Sequence, residues 1–278
     1  MAVVLILGSH VAGSRVGGTL VNLVLALSPF EIEPLHVPTT LLGRHPGWGL
    51  PGGGAVADDV FAGMLEGMAA NGLFASVDVV MTNYFASAAQ IRIAAKAITA
   101  VKAANPKAII VIDPVMGDAP NGLYVNEAVA CALMSDLIPH AHFLTPNLWE
   151  LGHITGLLTD TLPQIHYATR TLGCPTVVTS VRARAGIGAL MVDGNDAWLG
   201  VHDENEDMPK GTGDLLAALF VGHILDGQMP RFAMAKALAG VCAIVDASVA
   251  WGTSDLPIIA TARMAWTCED LPIYQLNG

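Results

Sequence analysis

Short apolar runs alternate with alanine-rich helical stretches along most of this chain, and that alternation restricts the fold more than any other feature. AVVLILG (2–8), IEPLHVP (32–38), VDVVMTN (77–83), AIIVIDPV (108–115), HFLTPN (142–147) and PTVVTSV (175–181) read as strands. Between them lie the helical patterns TLVNLVLAL, AVADDVFAGMLEGMAANG, SAAQIRIAAKAITAVKAAN and TLPQIHYATRTLG, with Gly72 placed to end the second. Strands apolar throughout, each followed by a helix, predict an α/β protein with a mainly parallel central sheet and helices on both faces. After Val181 the pattern changes. ALMVDG and AWLGVH, separated by Gly194–Asn195, predict an antiparallel hairpin, and two long helical stretches then close the chain. No polar linker, low-complexity tract or internal repeat interrupts the 278 residues, so one domain over 1–278 is expected.

Composition excludes several classes. The net charge is −11, with 13 Lys and Arg against 24 Asp and Glu, and no basic tract exists to follow a nucleic-acid backbone. The four cysteines are scattered, with no CxxC pair and no His in metal-ligand spacing, as for reduced thiols in the cytoplasm. A mean hydropathy of +0.53 raises the question of a membrane span. The best candidate, AMAKALAGVCAIVDASVAW, carries Lys236 and Asp246 and reads as a buried helix. MAVVLILGSH has no basic segment and only a very short apolar run, so no signal peptide is expected. The reading is a cytosolic protein without a membrane anchor.

In sheets of this kind ligands bind beyond the carboxyl ends of the strands. The polar residues there are Ser9 and His10, Asn83 and Tyr84, Asp113, Asn147 and Glu150, and Thr179 and Ser180. KGTGDLLAAL (210–219) adds a carboxylate behind two glycines at the mouth of an apolar helix. The first N–H groups of a helix lack internal partners, and its dipole favours negative charge. Gly211 and Gly213 let backbone approach a ligand, so the turn suits an anion. Taken alone, Asp214 reads equally as a helix cap.

Four segments in order decide for chemistry. SHVAGSRVGG, IDPVMGDAPNGLYV, TPNLWELGHITG and KGTGD resemble the SHV…G…VGN, DPVMGD…G-Y-V, TPN-x-x-E-L…G and G-x-G-D segments of the pyridoxal kinase family. That family belongs to the ribokinase-like kinases, and the resemblance runs over nearly the whole chain. It implies a three-layer ribokinase-like fold and ATP-dependent phosphorylation of the 5′-hydroxyl of pyridoxal, with Mg²⁺ and a potassium-type cation. It also implies a homodimer.

The resemblance assigns roles that make physical sense. Asp214 accepts the hydroxyl proton of the substrate, while the N–H groups of Gly211, Thr212 and Gly213 form an anion hole. Asp113 and Glu150 are hard oxygen ligands suited to Mg²⁺. Asp113 reads alone as a turn residue before Pro114, Glu150 as a first-turn helix residue, and Asn147 as an N-cap. By resemblance Asp113, Thr145, Asn147, Glu150, Ser180 and Thr212 lie along the nucleotide. Ser9 contacts the pyridine ring, Tyr84 packs on it, and His45 and Gly47 belong to a loop closing on the substrate. His10 reads as structural.

Three positions depart from the family pattern. Gly18 stands where relatives usually have Asn, PGGG (51–54) suggests a mobile flap, and HDENEDMPKGTGD is short and acidic ahead of the site helix. The rival readings are a hydroxymethylpyrimidine or sugar kinase, disfavoured by the SHV start, and a vitamer carrier without turnover, disfavoured by the intact GTGD. A nicotinamide-dependent oxidoreductase fails the G-x-G-x-x-G spacing and lacks an acidic end to its second strand.

Overall fold

A computed structural model describes residues 1–13, 15–184, 186–204 and 209–276; residues 205–208 of the acidic segment lie outside them. The first strand, β1 (Ala2–Val11), pairs in parallel with β2 (Ile32–Leu42) on one side and β4 (Val79–Thr82) on the other. The parallel series continues through β5 (Ile109–Ile112), β8 (Phe143–Leu144) and β9 (Thr176–Ala183). Antiparallel strands close both edges. β3 (Gly53–Ala55) pairs with β2, while β10 (Gly186–Asp193), β11 (Asp196–His202) and β12 (Ile273–Gln275) extend the other edge from β9. The order is β12-β11-β10-β9-β8-β5-β4-β1-β2-β3, and β6 (Gly117–Asp118) with β7 (Gly122–Leu123) forms a separate small ribbon.

The side-chain period of two explains why the central strands are apolar throughout. Val4 and Ile6 of β1 enter one core, while Val3, Leu5 and Leu7 enter the core on the opposite face. The first face is covered by α1 (Gly17–Ala26), α7 (Thr212–Leu225), α8 (Pro230–Trp251) and α9 (Ile258–Thr267). The second is covered by α2 (Asp58–Ala70), α3 (Ala88–Ala104) and α4 (Glu127–Ala132), with α5 (Leu148–Thr155) and α6 (Leu162–Arg170) packing a third cluster against β9, β10 and β11. Helix, sheet, helix: the three predicted layers are present.

The hairpin turns at Gly194 and Asn195 as predicted, between the paired Asp193 and Asp196. Among the described helices α8 is long and apolar enough to cross a membrane, yet 67% of its most apolar window is buried, which suits a core helix. One expectation is corrected. The chain does not close on two helices, because Gly252 ends α8 in the left-handed region and α9 and β12 follow. α9 buries Ile258, Thr261, Ala262, Ala265 and Trp266, a helical stripe whose mixed polarity hides its period. PGGG leads into the antiparallel pair β2–β3. Gly53 sits at φ +86°, where a Cβ would meet the Leu41 carbonyl oxygen at 2.0 Å, so close strand approach accounts for glycine there.

Candidate active site

The chain runs from β1 to β2 in one direction and from β4 to β9 in the other, so the strand order reverses between β1 and β4. The crevice beyond such a reversal is where open α/β sheets bind ligands. α7 starts directly over it. Its N-cap is Gly211 at φ +92°, pressed so closely on α1 that a Cβ would lie 3.1 Å from the Arg15 carbonyl oxygen and 3.2 Å from Leu20. Gly213 has nothing within 4 Å of the position of a Cβ, and it is exposed. One glycine allows helix packing; the other leaves the helix mouth open.

Asp214 does not cap this helix. Gly211 is the N-cap, with no side-chain cap bond, and Asp214 lies in the first turn with its carboxylate directed into the crevice. Its Oδ2 accepts from the Gly17 N–H at 2.8 Å and its Oδ1 from Asn83 Nδ2 at 2.7 Å. Gly17 sits at φ +60°, and a Cβ there would meet Ser9 Oγ at 2.0 Å, so only glycine presents this N–H to Asp214. Burial raises the Asp214 pKa, against the pull of the Gly17 and Asn83 hydrogen bonds and of His45.

Behind Asp214 lies a buried carboxylate group. Asp113 is raised well above the usual range by burial, then by the charges of Asp214 and Glu150. Glu150 is 2% exposed and accepts from the Met116 N–H at 2.8 Å and the Asn147 N–H at 2.9 Å. Burial pushes it up to about 7, against the backbone N–H groups of Asn147, Met116 and Gly117. Asn147 is the N-cap of α5 in a full capping box with Glu150, and its Nδ2 donates to the Gly117 carbonyl at 2.8 Å. Both the cap reading of Asn147 and the first-turn reading of Glu150 therefore hold in the structure. Thr145 is buried beside Asp113, and its hydroxyl helps to hold the Asp113 carboxyl down against the rise that burial causes.

On the substrate side, Ser9 is buried at the end of β1 against Gly17. Tyr84 is half-buried after β4, where burial raises its phenol and its carbonyl accepts from Thr39 Oγ1 at 2.6 Å. His45 Nδ1 accepts from the Gly47 N–H at 3.0 Å, and its ring stands edge-on to Trp48. Burial lowers the His45 pKa; Lys210 lowers it further and Asp214 raises it, so the 43–49 loop faces the start of α7. His10 Nδ1 shares a hydrogen bond with Thr19 Oγ1 at 3.3 Å, a structural tie as expected. A Cβ on Gly18 would meet His36 Nε2 at 2.6 Å, so His36 occupies the room that an Asn side chain needs there. Ser180 is exposed at φ +60° on β9, and Thr179 bridges to Asn147. Thr212 opens α7.

Two groups escape the sequence-based role assignment. Asn83 is fully buried and reaches both Asp214 and, at 3.5 Å, Asp113 Oδ2. Tyr124, inside the quoted G-L-Y-V stretch, is half-exposed, its hydroxyl pKa raised by burial and by Glu150, Asp113, Asp214 and Asp118. Position beyond a strand signalled the first, but only the fold shows which carboxylates it meets.

An open helix mouth beside a deeply held carboxylate, with buried acids behind it, is the arrangement of an α/β small-molecule kinase. Comparison with known proteins agrees. Residues 71–259 match the phosphomethylpyrimidine kinase family model. A pyridoxine/pyridoxal/pyridoxamine kinase of Bordetella avium is 35% identical over 210 residues, 73% of this chain and 71% of the relative. A pyridoxal kinase of Leifsonia xyli is 31% identical over 264 residues, 92% of this chain and 93% of the relative. The structure of a Leishmania donovani pyridoxal kinase in complex with ADP and pyridoxamine superposes with a TM-score of 0.91 over 100% of both chains, at 23% identity, and so matches in fold. The chain belongs to the pyridoxal kinase family.

Proposed function

We propose that the protein transfers the γ-phosphoryl group of ATP to the 5′-hydroxyl of pyridoxal or a sister vitamer, giving pyridoxal 5′-phosphate in the first case. One observation carries the reading: the Asp214 carboxylate is fixed by Gly17 and Asn83 beside the open start of α7. An ionised carboxylate has about four acceptor sites on two oxygens, so one donor on each leaves room for the substrate hydroxyl. Asp214 accepts that proton as the oxygen attacks. The N–H groups of Gly211, Thr212 and Gly213 point along the helix axis to the position where the moving phosphoryl carries its charge. Ser9 contacts the pyridine ring, Tyr84 packs on it, and the His45–Gly47 loop closes on the substrate.

The donor set fits Mg²⁺. Asp113 offers hard oxygen atoms with the Glu150 carboxyl near it, the Thr145 hydroxyl lies against Asp113, and the mutual repulsion of the carboxylates calls for a cation. Among the described residues no cluster of three or more His, Cys, Asp or Glu could cage a metal alone. Mg²⁺ fits that arrangement because it keeps waters and takes the rest of its shell from phosphates. When bound, it supplies charge neutralisation for the nucleotide. Asp113 is the side chain free to reach it, whereas Glu150 acts mainly by ordering the 116–117 backbone. Ser180, Thr145 and Thr212 line the path of the phosphates. A potassium-type cation near the anion hole, a homodimer of single-domain chains and a cytoplasmic setting complete the proposal on family resemblance.

The family-model match favours one second reading, phosphorylation of a hydroxymethylpyrimidine. The test is a panel of pyridoxal, pyridoxine, pyridoxamine and hydroxymethylpyrimidine with ATP, Mg²⁺ and K⁺, measuring ADP and phosphorylated product. Product from B6 vitamers supports the proposal, whereas product from the pyrimidine alone replaces it. Vitamer binding without product leaves a carrier.

A further inference from the structure

We propose that Asn83 is a positioning residue for the base: a buried amide that fixes the rotamer of Asp214 and holds it apart from Asp113. The proposal rests on Asp214 acting as the base.

Asn83 is fully buried at the end of β4, and its backbone is pinned to β1 by an N–H bond to the Leu7 carbonyl at 2.8 Å. Its Cβ packs where a Cβ on Gly8 would come within 2.7 Å, so the side chain has little room to leave. Nδ2 donates to Asp214 Oδ1 at 2.7 Å and lies 3.5 Å from Asp113 Oδ2. The orientation of the amide follows from chemistry, because ionised carboxylates only accept and only Nδ2 donates. Asn83 Oδ1 has no partner among the described residues. A buried amide that leaves its own oxygen unsatisfied sits there for its donor end, since an orphaned polar atom is costly.

The alternative is that Asn83 merely packs between β1 and α7. The two roles separate in function. Without the amide, Asp214 keeps only the Gly17 donor and gains freedom to rotate, while the two like charges lose the dipole between them. A misdirected base slows the proton transfer and leaves nucleotide binding intact, so the loss belongs in kcat. Misplacement by about 1 Å is worth on the order of 100-fold.

Asn83→Leu keeps the branching at Cγ and removes the donor. A double-mutant cycle with Asp214→Asn isolates the coupling. Single-turnover rates are measured in all four proteins, together with KM for ATP and thermal melts. We expect Asn83→Leu to lower the wild-type rate about 10- to 100-fold with KM for ATP little changed, and to have almost no further effect on the slow Asp214→Asn protein. An equal loss in both backgrounds, or no loss in either, overturns the proposal. If the Leu variant fails to fold, Asn83→Ser, whose hydroxyl stops short of Asp214, enters the same cycle with the same criteria. Wild-type activity in Asp214→Asn alone would remove the base itself, and is recognised before the cycle is read.

Discussion

Gly211 and Gly213 flank Thr212 with opposite requirements. Gly213 has open space around it, so Gly213→Val should fold with an almost unchanged melting temperature. Its two methyls would fill the helix mouth, and kcat should fall by about 100- to 1,000-fold, the usual cost of a lost anion-hole donor. A folded variant with wild-type kcat would move the anion hole elsewhere. Gly211 is crowded and at φ +92°, so Gly211→Ala should destabilise by about 1–3 kcal/mol, seen as an earlier urea transition. The base also has a pH signature. Burial raises the Asp214 pKa above 3.8, and the base must be ionised to act, so kcat should fall on acidification at a pH above the ordinary aspartate range. A rate flat down to pH 4 would contradict this.

The elements were largely legible because each central strand is apolar on both faces, which leaves few alternatives to a covered parallel sheet. β3 and β12 were not, being three-residue edge strands whose pairing is decided by distant partners. α9 was missed because Ala and Thr dilute its apolar stripe. The site was half legible. Position beyond a strand singled out Ser9, Asn83, Tyr84, Asp113 and Asn147, but it could not show that Asp214 turns from its own helix to Gly17 and Asn83. Those contacts span 197 and 131 residues. At α5 the capping box is itself testable. Asn147→Ala removes the cap and the bond to the Gly117 carbonyl, and should cost about 1–2 kcal/mol in denaturant unfolding. Unchanged stability would return Asn147 to a purely nucleotide-binding role.

Across the whole molecule, three carboxyls with raised pKa values, the buried Asp113 and Glu150 and the half-buried Asp214, bear on how stability follows pH. A carboxyl raised on folding binds its proton more tightly in the native state, so its contribution is complete below the unfolded pKa and is lost as pH rises through the folded one. For Glu150 that window runs from 4.5 to about 7, and Asp113 and Asp214 act in the same direction. Burial pushes His223 down to about 4 and so acts in the opposite direction over part of this window. The test is therefore a difference: the ligand-free melting temperature of wild type minus that of Glu150→Gln should decline from pH 4.5 to about 7. Mg²⁺ with ATP favours the ionised carboxylates, so its stabilisation should be larger at pH 8 than at pH 5.5. Equal shifts at both pH values would separate the acids from the metal. The most direct test of the account is single-turnover formation of pyridoxal 5′-phosphate by wild type and Asp214→Asn at saturating ATP and Mg²⁺. We predict a stable Asn variant that binds ATP normally and forms product about 100- to 10,000-fold more slowly. Product at the wild-type rate would show that the carboxylate held by Gly17 and Asn83 is not the base.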